Sequence, residues 1–129
     1  MKRLLILVAV VAIGMLAGCL VEVKTYTDSG QTIDISANQE FFIAVGSNPT
    51  IGYSWQASYD KTMLELVGGK STYEESKEAK EGLVGAGGAD FFRFKALEKG
   101  ETKITLVYKQ PWKESTPQDI TKVFTANIK

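Results

Sequence analysis

From Cys19 onward the apolar residues recur with a period nearer two than 3.6, and β-branched and aromatic side chains dominate the runs. Successive side chains of a strand point to opposite faces, so a chain patterned this way has one apolar face per strand to bury. The expected strands are Leu20 to Tyr26, Thr32 to Ser36, Glu40 to Val45, Tyr53 to Ser58, Leu64 to Val67, Asp90 to Leu97, Thr102 to Tyr108 and Thr121 to Ile128. Asp28-Ser29-Gly30, Gly68-Gly69 and Glu98-Lys99-Gly100 have the chemistry of turns between them. Roughly seven to eight short strands with regular turns predict an all-β fold, a β-sandwich. Tyr73 to Lys80, rich in Glu and Lys and without an apolar stripe, reads as a solvated excursion.

The segment ahead of this domain has a different character. Lys2 and Arg3 precede an uninterrupted apolar run from Leu4 to Leu16, and Leu16-Ala17-Gly18-Cys19 closes it. A basic start, a short apolar stretch and small residues at the end form a secretory signal pattern. The run is shorter than the roughly 20 residues that span a bilayer as a helix. The only cysteine of the chain stands at the boundary, as in the lipobox of prokaryotic lipoproteins. Residues 1–18 are therefore expected to be a leader, and 19–129 one domain anchored to the cell membrane, outside the cytoplasm, through lipid on Cys19. Two acyl chains on that cysteine would hold it stably, where one gives only marginal binding.

Removing Lys2 and Arg3 from the 15 basic residues, with all 15 acids kept, leaves a charge of about −2. No basic face results, which argues against nucleic acid as a partner. The chain has no histidine. With the one cysteine assigned to lipid, the usual general base, thiol nucleophile and transition-metal ligands are missing. No catalytic residue, metal or cofactor is expected; the chain reads as a binding protein, not an enzyme, and as a monomer.

Three turn segments remain as candidates for binding. Asn48-Pro49-Thr50-Ile51-Gly52-Tyr53-Ser54-Trp55 joins two strands; Pro49 disfavours helix at Asn48, and Gly52 permits a positive φ. Trp55 is expected to face the core, with Tyr53 on the same face. Gly85-Ala86-Gly87-Gly88 has more glycine than a hairpin needs, which suggests close approach of backbone to another molecule. Gln110-Pro111-Trp112 sets a Trp in a polar turn, where it has the character of a binding hot spot.

In order and spacing these three segments resemble the signature loops of the chagasin family, protein inhibitors of papain-like cysteine peptidases. The resemblance covers most of the chain after Cys19. It implies an immunoglobulin-like sandwich, without the immunoglobulin cysteine pair, whose three loops line up at one end and plug a peptidase cleft reversibly. Asn48 to Tyr53, Gly85 to Gly88 and Gln110 to Trp112 would form the contact. Thr50 would lie near the catalytic cysteine, Gly85 to Gly88 would run along the cleft as backbone, and Trp112 would pack on its far wall. The family pattern has Thr where this chain has Ile51, and Arg where it has Gln110. Those departures favour the competing reading, a lipid-anchored adhesion or envelope-assembly module with no peptidase target.

Overall fold

The computed structural model describes residues 23–48, 51–82, 87–114 and 120–129. Nine strands are described in them: β1 Thr25–Tyr26, β2 Thr32–Ile35, β3 Glu40–Ser47, β4 Ser54–Ser58, β5 Leu64–Leu66, β6 Thr72–Glu75, β7 Gly88–Ala96, β8 Gly100–Lys109 and β9 Ile120–Ile128. A one-turn helix, Lys77–Lys80, follows β6. The strands form a five-stranded sheet in the order β1-β3-β7-β5, with β6 also on β7, and a four-stranded sheet in the order β2-β9-β8-β4.

Alternation explains why the two sheets close on each other. Phe41, Ile43 and Val45 of β3 and Phe92, Phe94 and Ala96 of β7 are buried, and they face Ile104 and Leu106 of β8 and Phe124, Ala126 and Ile128 of β9. Phe94 is the hub of the five-stranded sheet: it stacks on Phe41 at 5.7 Å and meets Tyr59 edge-on at 5.2 Å. Burying each such ring contributes about 1.5–3 kcal/mol relative to leaving it in water. This is the immunoglobulin-like all-β sandwich that the periodicity and the resemblance led one to expect. Among the described residues the fully buried side chains run from Ile33 to Ile128, and Tyr26 of β1 packs edge-on against Phe41 at their margin.

Two expected elements differ. The first strand is only Thr25–Tyr26, parallel to β3, with Val23 and Lys24 exposed ahead of it; Leu20 to Glu22 lie outside the described residues. The stretch read as a solvated excursion contains a strand, β6, whose residues pair with Phe91 to Gly88 of β7. Three of its four residues are exposed, so backbone hydrogen bonds rather than apolar burial hold it.

Strand direction sets up the site. β3 and β8 end, and β4, β7 and β9 begin, at one pole of the sandwich, as the pairs Ser47↔Gly88, Ser54↔Lys109 and Tyr108↔Ile120 require.

Candidate functional site

The first segment crosses from one sheet to the other. β3 leaves its ladder after Ser47, and β4 joins the opposite sheet at Ser54. Between them a tight turn forms, in which the Ile51 N–H donates to the Asn48 carbonyl at 3.3 Å. Ile51 is 52% exposed, an apolar tip in water. Gly52 has φ +78°, a conformation that side chains with a β-carbon rarely adopt.

The third segment leans on the first. The Lys113 N–H donates to the Gln110 carbonyl at 3.1 Å and turns the chain after β8. Trp112 is 68% exposed, yet its ring edge rests on Gly52: a β-carbon built there would lie 2.9 Å from Cη2. Glycine at 52 is favoured by its backbone angle, and a β-carbon there would make the exposed indole shift.

The second segment closes on the first from the other side. Gly87, at φ +72°, would bring a β-carbon to 2.8 Å from the Ser47 carbonyl oxygen and 3.3 Å from the Asn48 β-carbon. The Ser76 N–H donates to the Gly87 carbonyl at 3.0 Å. At Gly88 a β-carbon would collide with the Glu74 carbonyl of β6. These two glycines are therefore demanded by the protein's own backbone.

Aromatic side chains brace the base of this pole. Tyr108 of β8 lies 4.8 Å from Trp55 and 5.3 Å from Tyr53, centroid to centroid, and Trp55 is buried as expected. Trp55 Nε1–H donates to the Gly46 carbonyl at 2.9 Å, and the Tyr108 hydroxyl accepts from the Asn48 N–H at 3.0 Å. Both bonds run from the four-stranded sheet to the end of β3, in the other sheet. Lys122 places its ammonium 6.0 Å from the Trp55 ring. On β6, beside the second segment, partial burial first and the charges of Glu75, Asp90 and Tyr108 next push the Tyr73 hydroxyl above its ordinary range.

Of the candidate residues, Asn48, Ile51, Gly52, Tyr53, Gly87, Gly88, Gln110, Pro111 and Trp112 meet at this one pole. Pro49, Thr50, Gly85 and Ala86 lie outside the described residues, as does Cys19. Tyr53 is half-buried against the core, so it supports the turn more than it projects from it. Among the described residues four large apolar side chains are exposed: Val23, Ile51, Trp112 and Ile120. Three of them, Ile51, Trp112 and Ile120, are at the loop pole. Ile120 was not among the candidates; its position continues the buried phase of Phe124 and Ala126, and only the run-out of the sandwich at this end exposes it. Among the described residues no cluster of acidic, cysteine or histidine side chains could hold a metal ion.

Among the described residues this surface is apolar at its tips and tied by hydrogen bonds at its base. The chain matches the description "Chagasin family peptidase inhibitor I42" over residues 34–128. It is 30% identical to amoebiasin-1 of Entamoeba histolytica over 104 residues, covering 81% of this chain and 94% of that one. To chagasin of Trypanosoma cruzi it is 28% identical over 111 residues, with 81% and 94% covered. The solution structure of amebosin superposes with a TM-score of 0.68 at 28% identity, covering 84% of this chain and all of that one. With a match across most of its length, a sandwich to suit and three loops brought to one pole, this chain belongs to the chagasin family of peptidase inhibitors.

Proposed function

We propose that this chain is a reversible inhibitor of papain-like cysteine peptidases, blocking the active-site cleft with three loops, and that lipid on Cys19 holds it to a membrane outside the cytoplasm. The observation that carries the inhibitory reading is the meeting of the three segments at one pole, with Ile51 and Trp112 displayed in water there. Asn48 to Tyr53 form the central wedge, with Thr50 beside the catalytic cysteine. Gly85 to Gly88 run along the cleft as backbone, and Gln110 to Trp112 close on its far wall. The anchor is supported by the apolar run and by Leu16-Ala17-Gly18-Cys19 in the sequence.

The physics of obstruction suits these residues. A wedge that is already tied down loses little freedom on binding, so more of its contact energy appears as affinity. Blocking a cleft needs no nucleophile or base, and a turn held by Gly52 and its neighbours is not an extended scissile strand. Ile51, where the family pattern has Thr, adds apolar surface at the tip. Gln110, in place of Arg, removes a cation that could pair with a carboxylate on the peptidase, which shifts the target range.

The test is a titration of the domain from Val21 onward, which contains every buried residue among those described, against papain. Stoichiometric, reversible loss of peptidase activity is expected, and no inhibition at micromolar concentration counts against the reading.

A further inference from the structure

We infer that Tyr108 is a positioning residue for inhibition: its hydroxyl holds the start of the wedge in place and couples it to the Trp112 segment. The inference rests on the reading of Asn48 to Gly52 as the wedge and adds the part of the fold that holds it.

The ladder of β3 with β7 ends at the pair Ser47↔Gly88, and Asn48 is the next residue of the chain. Its N–H donates to the Tyr108 hydroxyl at 3.0 Å, and that hydroxyl donates in turn toward the Asn48 carbonyl, 3.4 Å away. The same carbonyl accepts the Ile51 N–H that closes the turn. Pro49, next in the chain, has no N–H to offer. One phenol oxygen thus engages both backbone polar groups of the residue that launches the wedge.

The oxygen is itself fixed. The Tyr108 ring is only 9% exposed and lies between Tyr53 and Trp55. Two residues after Tyr108 the chain leaves β8 at Gln110, so the residue that grips the first segment also delivers the third. Packing alone does not call for a hydroxyl here. Phe41, Phe94 and Phe124 fill equivalent inward positions with bare rings, and Tyr108→Phe would fill this one equally well. What phenylalanine cannot do is accept from the Asn48 N–H or donate toward the Asn48 carbonyl. The Trp55 bond to the Gly46 carbonyl is a second tie, two residues earlier on the same strand.

The experiment compares the domain from Val21 onward, wild type and Tyr108→Phe, by papain inhibition, thermal unfolding and amide exchange. A lost bond of this kind corresponds to about a tenfold change in an equilibrium. The inhibition constant of the variant is expected to rise about tenfold, and the Asn48 and Ile51 amides to exchange about tenfold faster, while the Phe94 and Phe124 amides stay protected. A hydroxyl with only a structural role would lower the melting temperature and leave inhibition by the folded protein unchanged; that result overturns the inference. Trp55→Phe, which keeps an aromatic ring in the stack, should leave the Asn48 amide protected. Should Tyr108→Phe fail to fold, an Asn48 amide already unprotected in the wild type overturns the inference, and a protected one supports it. A wild-type domain that does not inhibit papain refutes the inhibitory reading instead, and amide exchange alone then decides whether Tyr108 holds the segment.

Discussion

The contact between Trp112 and Gly52 shows how a residue can be exposed and still committed. With its ring 68% exposed, Trp112 contributes little to the core, and the edge that rests on Gly52 sets the direction of the rest. Trp112→Ala is therefore expected to weaken inhibition by about 2 kcal/mol while leaving unfolding unchanged. Gly52→Ala forces a β-carbon into a left-handed conformation, a cost of about 1–2 kcal/mol, and pushes the indole off its seat. Because both substitutions disturb one contact, the double variant should lose less than the sum of the two, by about 1 kcal/mol or more, when inhibition constants are compared in a double-mutant cycle. Additive losses would mean that the two segments act separately. Trp112 was legible in the sequence because a Trp after Pro in a polar turn has no core neighbours in phase. Gly52 was legible only as a flexible point; that it is a seat depends on a residue sixty positions away.

Strands of the sandwich centre were readable to within a residue or two, since β3, β7, β8 and β9 each bury one alternate set and must do so to close the core. β6 was not readable. Thr72-Tyr73-Glu74-Glu75 has no apolar alternation, because an edge strand outside the core needs only a partner backbone. That partner is available only because Gly88 has no side chain, since a β-carbon there collides with the Glu74 carbonyl. Gly88→Ala is expected to lower unfolding stability in denaturant by about 1–3 kcal/mol, as overpacking does, and to expose the amides of β6 to exchange ahead of those of β3. Unchanged protection of β6 would show that the two strands can move apart freely. The surplus of glycine at 87 and 88 thus reflects crowding within the fold, which a sequence records in the same letters as flexibility.

At the scale of the molecule, the three segments and the start of the domain lie at opposite ends of the sandwich. β1 runs parallel to β3 with Thr25 opposite Phe42, so Val23 lies at the pole away from the loops. The eight residues of β3 separate the poles by roughly 25 Å. A tether from Cys19 to Val23 reaches about 14 Å at full extension. A lipid on Cys19 would then hold the far pole to the membrane and turn the loops toward water. Full-length protein on lipid vesicles is accordingly expected to inhibit soluble papain with a constant within about threefold of that of the free domain; a loss of tenfold or more would mean that the membrane screens the loops. The sequence alone determined the all-β class, the sandwich and the three segments worth attention, because alternation and turn chemistry are local properties written residue by residue. Only the tertiary structure decided that Gly52 carries Trp112, that Gly87 and Gly88 are crowded by Ser47 and Glu74, and that Tyr108 grips Asn48. Those contacts join residues far apart in the chain, and their partners are chosen by how two sheets meet at one end, which no local pattern encodes.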